Sequence, residues 1–224
     1  NAALSAAEIE TVLAGQIITR KHGPGFFIVE ARSPLDPAGL QKQLGGTVKI
    51  GSIVLESNPD SLEQELTKFL LDASSAKKLN FGVNNYGFKF DALVVKKALR
   101  SAGVSARLVA SREPALSSVI AQKEILKKGG IELNCFKING SILVGQTATC
   151  QPFEEFSRRD WERPAKDEMA GMMPPKLAKI MINLAAADKR DVLLDPFCGS
   201  GTILMEAALM GFGNHIVEHI DMII

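Results

Sequence analysis

The residues whose types and spacing most clearly predict chemistry form the string Asp195-Pro-Phe-Cys-Gly-Ser-Gly-Thr202, called the glycine loop below. One apolar run leads into Asp195, and a second follows Thr202. This order predicts a strand, a tight turn and a helix N-terminus, and ligands of open α/β sheets bind at that edge. Gly199 and Gly201 have no Cβ atom, so the backbone can turn sharply and approach a ligand closely.

Three ligand classes compete for the glycine loop. A nucleoside triphosphate loop needs Lys-Ser or Lys-Thr after its second glycine, but Thr202-Ile203 stands there. A dinucleotide loop prefers a third glycine where this chain has Leu204. S-adenosylmethionine fits best, because Asp195 at the strand tip can accept hydrogen bonds from its amino group. The plain alternative is an ordinary strand-turn-helix connection capped by Ser200, and the complete eight-residue string favours a binding loop over it.

The first 75 residues predict a compact α+β unit. Ser5 and Glu8 have the spacing of a capping box, and Asp60 with Glu63 has the same spacing before a later helix. That later helix should turn Leu62, Leu66, Phe69 and Leu70 to one face. The other expected elements are helices over 5–14 and 36–44 and strands over 16–19, 26–30 and 48–55.

A linker over 73–78 precedes a predicted βαβ pattern, in which strands 79–83 and 106–110 flank a helix over 91–102. Residues 116–125 fit either a strand or a helix. Asn139-Gly140 predicts a hairpin turn between two more strands. After Pro175, an apolar stripe with helical spacing predicts a packed helix face. The two strands joined by the hairpin turn are expected over 131–138 and 141–149. The apolar stripe consists of Leu177, Ile180, Met181 and Leu184.

Positive charge is concentrated in the middle of the chain, although the net charge is +1. Residues 85–140 hold ten Lys or Arg against four Asp or Glu. A polyanion-binding surface and a solvated helix face explain this charge equally well. Arginines and aromatics also cluster in 151–164, as binding loops do. The candidate polyanion contacts are Lys96, Lys97, Arg100, Arg107, Arg112, Arg158, Arg159 and Arg163.

The composition narrows the class of protein. Three widely separated cysteines argue against a disulfide framework and against a structural zinc site, and no metal is expected. No apolar run reaches the roughly 18 residues of a membrane span, and no leader-like segment opens the chain. A cytoplasmic location is therefore the default expectation.

The string from Asp195 to Ala208 resembles the first motif of class I methyltransferases, in the variant used by THUMP-domain RNA methyltransferases. The nearest resemblance is to the tRNA guanine-N2-methyltransferases of archaea and eukaryotes and their bacterial cousins. Four further strings stand where that family has recurring strings. They are Leu44–Ile50, Leu116–Val119, Arg159–Pro164 and Gly171–Ala185.

The resemblance implies an α/β protein with an α+β N-terminal part and three successive domains. These are a ferredoxin-like domain over 1–76, a THUMP domain over 77–150 that grips the tRNA acceptor end, and, after a linker over 151–174, a Rossmann-like methyltransferase domain over 175–224. The basic middle segment coincides with the THUMP position. The polyanion is therefore expected to be tRNA or another structured RNA, and a small activating subunit is a further expected partner.

The resemblance also implies the cofactor contacts. The Gly171–Pro175 loop, with Met173, corresponds to a segment that closes over S-adenosylmethionine. An acidic residue at the end of the next strand binds the ribose, but His219 stands nearest that position, so Glu218 or Asp221 is expected to substitute. The contacts in the glycine loop are Asp195, Pro196, Phe197, Gly199, Ser200, Gly201 and Thr202.

The Asp/Asn-Pro-Pro-Tyr motif, which holds the target amine, does not occur in the sequence. Since positioning of that amine contributes much of the rate, residues 1–224 are expected to be an inactive, C-terminally truncated piece with no catalytic residue of its own. The predicted function is methyl transfer to guanine N2 of tRNA, of the position 10 type. An RNA-binding module with a vestigial methyltransferase part, and a related ribosomal RNA or DNA amino-methyltransferase, remain alternatives.

Overall fold

The structure, a computed structural model, describes residues 2–73, 78–162, 172–185, 189–190 and 192–212, and the backbone of 216–218. Of the predicted site residues, Arg163 and Asp221 lie outside these ranges, as does His219.

Helices and strands alternate along most of the chain. In chain order they are α1 (Ala2–Val12), β1 (Ile17–Gly23), β2 (Phe26–Ala31), α2 (Pro37–Gln43), β3 (Lys49–Ser57), α3 (Leu62–Ala73), β4 (Lys78–Tyr86), α4 (Leu93–Ser101), β5 (Ser105–Leu108), α5 (Ser118–Ile120), β6 (Ile131–Ile138), β7 (Ser141–Cys150), α6 (Phe153–Trp161), α7 (Pro175–Ala185), β8 (Leu193–Asp195), α8 (Thr202–Met210) and β9 (Ile216–Glu218). The α/β fold class is confirmed, and every strand predicted upstream of the glycine loop is found, most of them with shifted ends.

The chain forms two compact units whose boundaries differ from the predicted ones. The first unit comprises 1–21, 27–47 and 151–224, and the second comprises 22–26 and 48–150. The predicted boundary after residue 76 falls inside the second unit, because β3 pairs with β7 in antiparallel fashion. The predicted linker over 151–174 is also not wholly irregular, since α6 lies within it.

The second unit is built on a five-stranded sheet in the order β3-β7-β6-β4-β5. The predicted βαβ unit is confirmed, because β4 and β5 are parallel and α4 connects them. Asn139 and Gly140 have φ angles of 50° and 91°, so they form the expected hairpin turn between β6 and β7. Residues 116–125, left open between strand and helix, are helical from Ser118, with a π-helical turn over Ala121–Ile125 and a 3₁₀ turn over Leu126–Lys128.

One face of this sheet carries the main apolar core. Phe81, Leu133 and Val144 point from three strands toward α3 and α4 and are fully buried. The predicted stripe on α3 is confirmed, since Leu62, Leu66 and Leu70 are fully buried and Phe69 packs beside them. The predicted cap of α3 is wrong: the helix begins at Leu62, and the Asn58 side chain accepts hydrogen bonds from the Asp60 and Ser61 amides.

The predicted capping box at Ser5 and Glu8 is also wrong, because α1 already begins at Ala2. Ser5 donates instead to the carbonyl of Gly46, at 3.1 Å. The buried Glu8 carboxylate accepts from the amides of Gly45 and Gly46, both at 2.8 Å, and from Asn183 of α7 at 2.7 Å. A carboxylate that is removed from water needs such donors, and here it finds them in distant segments rather than in its own helix.

In the first unit α7 packs against both α1 and α8. Ile182 joins Leu193, Ala207 and Phe212 in a small apolar core. The predicted stripe on α7 is only partly correct: Ile180 is buried, whereas Met181 and Leu184 are 42% and 39% exposed. The buried face includes polar residues, because Lys179 and Asn183 donate to the carbonyls of Lys42 and Gln43 near the end of α2.

Candidate cofactor site

The glycine loop joins β8 to α8 as the sequence predicted. Asp195 ends the strand with its side chain buried, and its Oδ1 accepts a hydrogen bond from the Phe197 amide at 3.1 Å. Gly199 and Gly201 have φ angles of 51° and 74°, in the left-handed region that favours glycine. The Gly201 amide donates to the Cys198 carbonyl at 2.7 Å, which closes the turn.

The N-terminus of α8 is suited to a polar or anionic group. Gly201 is the N-cap and has no side chain that could accept from the first amides of the helix. Its carbonyl accepts from the Met205 amide at 2.9 Å, so the helix is regular from its first turn. Thr202 is buried, while Pro196, Phe197 and Ser200 are exposed on the outer side of the loop. The exposed fraction of Phe197 is 92%, which is unusual for a phenyl ring.

The next strand carries an acidic residue to the same edge. β9 is parallel to β8, and the register pairs Asp195 with Glu218. Since the carboxyl ends of parallel strands lie at one edge of a sheet, Glu218 occupies the position next to Asp195. Of the two predicted ribose ligands, Glu218 is the one whose backbone the structure describes. The other ligand predicted from the resemblance, Met173, is half-buried just before α7.

A buried ion pair lies on the inner side of α8. Glu206, one turn after Thr202, is 1% exposed, and its Oε1 accepts from Arg159 Nε of α6 at 2.6 Å. The Arg159 guanidinium also lies over the Phe156 ring, 4.8 Å from its centroid. Arg159 was predicted to contact RNA, and in the structure its side chain forms this internal ion pair. Its neighbour Arg158 is exposed.

Two lysines of α7 share the environment of Phe156. The Nζ atoms of Lys176 and Lys179 lie 5.4 and 5.5 Å from the centroid of that ring. Burial lowers the pKa of both ammonium groups. The Glu206 carboxylate opposes this effect at Lys179, and Asp160 opposes it at Lys176. Glu206 is therefore near two cations, Arg159 and Lys179.

The predicted basic residues of the second unit lie on different elements. Lys96, Lys97 and Arg100 share helix α4, where Lys97 and Arg100 are exposed and Lys96 is half-buried. Arg107 lies on the edge strand β5 and its guanidinium is 3.4 Å from the Glu124 carboxylate. Arg112 is exposed in the loop that follows β5.

Sequence reasoning missed a group of buried polar residues on the sheet of the second unit. Its members are Lys49, Asn84, Glu132, Asn134 and Thr147. A signal was present: Ile131-Glu-Leu-Asn-Cys135 alternates polar and apolar residues in a central strand, and an acid is rarely buried without a partner.

Fold and site together define an α/β protein whose C-terminal part has a glycine loop that resembles that of class I methyltransferases. Residues 162–219 match the family described as RMKL-like, methyltransferase domain. The resemblance inferred from the sequence is thereby confirmed.

Individual relatives agree with this class. Over 41 residues the chain is 58% identical to the tRNA (guanine(10)-N2)-dimethyltransferase of Methanothermobacter thermautotrophicus, a match that covers 18% of this chain and 12% of that protein. A protein of the same name from Pyrococcus abyssi is 43% identical over 54 residues, covering 24% of this chain and 14% of the other. The matches thus span less than a sixth of these curated relatives.

Among solved structures, TrmN from Thermus thermophilus has a similar fold. It aligns with a TM-score of 0.54 over 96% of this chain and 60% of its own, at 17% sequence identity. In the part of the chain that the structure describes, no helix is long and apolar enough to cross a membrane.

Proposed function

We propose that the protein is an S-adenosylmethionine-dependent methyltransferase that modifies tRNA at N2 of a guanine. The observation that carries this proposal is the glycine loop at the edge of two parallel strands, where the register sets Asp195 beside Glu218. The match of residues 162–219 to a methyltransferase domain and the names of the matched relatives support it.

The residues of the glycine loop fit the cofactor. A Cβ added at Gly199 or Gly201 would have its nearest neighbour only at 4.0 Å, so the outer side of the loop is open to a ligand. Asp195 can accept from the amino group of the methionine part, and Glu218 has the placement needed to accept from the ribose hydroxyls. When bound, S-adenosylmethionine supplies the methyl group on its sulfonium centre. The role of this chain is to hold and orient that group.

No Asp/Asn-Pro-Pro-Tyr string occurs in the sequence, so none of its residues is proposed to position the target amine. The second unit would bind the RNA, as a THUMP domain does, with Lys96, Lys97, Arg100 and Arg112 as phosphate contacts. Arg158, in the first unit, is a separate candidate contact. A tRNA substrate would place the protein in the cytoplasm. A small activating subunit stays a prediction, which co-purification of the native protein would test.

Binding of S-adenosylmethionine by the whole protein, measured by calorimetry, tests the cofactor part of the proposal. Asp195→Asn keeps the size of the side chain and removes its charge, and we expect at least about tenfold weaker binding, since hydrogen bonds to charged groups are the strong ones. Gly201→Val should abolish binding, because a β-branched residue cannot adopt its φ of 74° without strain. Asp72→Asn, an exposed change on α3, is the matched control.

The substrate is tested by incubating the whole protein with tRNA, ribosomal RNA and duplex DNA in parallel and mapping methyl groups by mass spectrometry. We expect a methylated guanine in tRNA. Methylation of ribosomal RNA or DNA alone would contradict the substrate class. Tight RNA binding without any S-adenosylmethionine binding would instead favour an RNA-binding module with a vestigial methyltransferase part.

A further inference from the structure

The buried polar residues of the second unit form one network across four adjacent strands. Lys49 comes from β3, Asn84 from β4, Glu132 and Asn134 from β6, and Thr147 from β7. Glu132 and Asn134 alternate with residues that pack toward α3 and α4, so the network lies on the opposite face of the sheet. Except for the Lys49 side chain, which is 13% exposed, all its members are buried.

Both oxygens of the Glu132 carboxylate are hydrogen-bonded. Oε1 accepts from Lys49 Nζ at 2.6 Å and from Asn84 Nδ2 at 2.8 Å, and Oε2 accepts from Thr147 Oγ1 at 2.7 Å. Asn134 completes the network, because its Oδ1 accepts from Asn84 and its Nδ2 donates to Thr147, both at 2.8 Å. The charges are therefore paired and their remaining hydrogen-bonding groups are occupied, as a buried ion pair requires.

This network holds the backbone of a single residue, Leu116, from both sides. The Leu116 amide donates to Asn84 Oδ1 at 2.8 Å, and the Leu116 carbonyl accepts from Lys49 Nζ at 2.7 Å. The Leu116 side chain is buried with Val109 and Ile125. Two strings shared with the resembled family, 44–50 and 116–119, are far apart in sequence, and the bond from Lys49 to Leu116 joins them.

Net stability does not explain why an ion pair stands here, because well-packed apolar residues would stabilise a core at least as well. An ion pair with hydrogen bonds differs from apolar packing in that it fixes position and direction. The network fixes the position of Leu116, at the start of the helical segment 117–128. This segment contains the π-helical turn over Ala121–Ile125. Such turns are frequent at functional sites.

The chain on either side of Leu116 is basic. Residues 105–128 contain five Lys or Arg against two Glu. The Glu124 carboxylate forms salt bridges with Lys128, at 2.7 Å, and with Arg107. Arg112, which precedes Leu116 in the sequence, and Lys127, which follows it, are both exposed.

We propose that Lys49 and Glu132 are positioning residues for RNA binding: they hold Leu116 so that the basic chain on both sides of it meets the phosphates of the RNA. This inference rests on the proposed RNA substrate. The two residues contact no RNA themselves and act through the Leu116 backbone.

The test compares Lys49→Met, Glu132→Gln and the double variant in the whole protein, by thermal unfolding and by RNA affinity at fixed salt. Each single change leaves an unbalanced network and should lower both the melting temperature and the affinity. The double variant removes both charges and should recover most of the melting temperature. Its RNA affinity should stay about tenfold weaker, because the charged donor to the Leu116 carbonyl is gone.

A merely structural role makes the opposite prediction, namely that RNA affinity recovers together with the melting temperature, and that result would overturn the proposal. The matched control is Lys68→Met with Glu63→Gln, which likewise removes one positive and one negative charge, but from the exposed surface of α3. If the double variant does not fold, Asn84→Ser removes the acceptor of the Leu116 amide while the ion pair stays, and wild-type affinity in that variant overturns the proposal as well.

Hydrogen exchange separates this inference from the proposed function. The Leu116 amide should exchange faster in the double variant, while the amides of the β6 ladder keep their protection. A wild-type protein that binds no RNA would refute the RNA substrate even if Leu116 exchanges as expected. A wild-type protein that binds RNA, with unchanged Leu116 exchange in the double variant, would refute the inference alone.

Discussion

Each unit contains a buried ion pair of the same length, and the two pairs differ in how completely they are enclosed. The Lys49–Glu132 pair of the second unit and the Arg159–Glu206 pair of the first both have a nitrogen-oxygen distance of 2.6 Å. Glu132 has partners on both oxygens. Glu206 Oε2, in contrast, is buried without a hydrogen-bond partner among the described residues.

The difference shows that similar ion pairs can have different roles. Both oxygens of Glu132 are occupied, and two further bonds of the network hold the backbone of Leu116. The Glu206 pair connects α6 to the helix that begins at the glycine loop, and one of its oxygens is still able to accept a hydrogen bond. Because an unsatisfied buried polar atom is costly, Glu206 Oε2 is a position at which a further polar contact is expected.

The largest expected effect comes from removing the cation of each pair. Lys49→Met should lower the free energy of unfolding by about 3–5 kcal/mol, because it leaves a fully buried, uncompensated carboxylate. Arg159→Met should cost only about 1–3 kcal/mol, because the buried Glu206 carboxylate that it leaves still has the charge of Lys179 nearby. Urea unfolding of both variants measures the difference.

Glu155 provides the control for this comparison, because its carboxylate lies 3.8 Å from Arg159 and is 63% exposed. Glu155→Gln should change the free energy of unfolding by about 0–1 kcal/mol. Equal losses in Lys49→Met and Arg159→Met would show that the closed network is no stronger than the open pair.

A stability effect of intermediate size is expected from the two cysteines of the second unit, which are buried, unlike Cys198 of the first unit. Burial raises the pKa of the Cys135 thiol to about 12. Burial and the Glu132 charge raise the pKa of Cys150 to about 11, against the opposing effect of Lys49. Both thiols ordinarily ionise near pH 9.0, so above that pH the unfolded chain loses protons that the folded chain keeps. The free energy of unfolding should therefore fall by about 1–3 kcal/mol from pH 9 to pH 11.

The double change Cys135→Ala with Cys150→Ala should flatten this pH dependence, although it lowers stability at all pH values. An unchanged slope would assign the effect to other groups. Cys198 in the glycine loop is half-exposed, and it should react with a thiol reagent in the folded protein, whereas the two buried thiols should react only on unfolding.

The smallest effect on stability, near zero, is expected from removing the basic side chains of α4 in the second unit. Replacing Lys96, Lys97 and Arg100 with Ala should leave the free energy of unfolding unchanged. It should reduce the slope of log RNA affinity against log salt concentration by about 1 for each lost phosphate contact. Titrations of wild type and triple variant at several salt concentrations measure this slope. Equal slopes would mean that this face of α4 is simply solvated.

Local features were predictable because their causes lie within a few residues. Asn139-Gly140 turns because those two residues tolerate positive φ angles, and the core face of α3 follows from apolar residues one turn apart. The glycine loop belongs to the same class, since its strand, turn and helix are contiguous. These features, together with the α/β class, were read from the sequence directly.

Features that depend on distant contacts were not predictable in this way. The pairing of β3 with β7, almost a hundred residues later, joins segments on the two sides of the predicted boundary after residue 76, and no local pattern indicates it. On α7 the buried face includes Lys179 and Asn183, whose side chains donate to carbonyls at the end of α2, and no spacing rule within the helix indicates this.

The sequence by itself determined the α/β class and the presence of a glycine loop with the chemistry of a cofactor site. Only the tertiary structure decided how the buried acids are used. Glu8 had the spacing of a capping residue but accepts from Gly45 and Gly46, and Glu132 and Glu206 acquired partners from other strands and helices. The physical reason is that a turn or a helix face is set by neighbouring residues, whereas a buried charge must be compensated by whatever groups the fold brings to it.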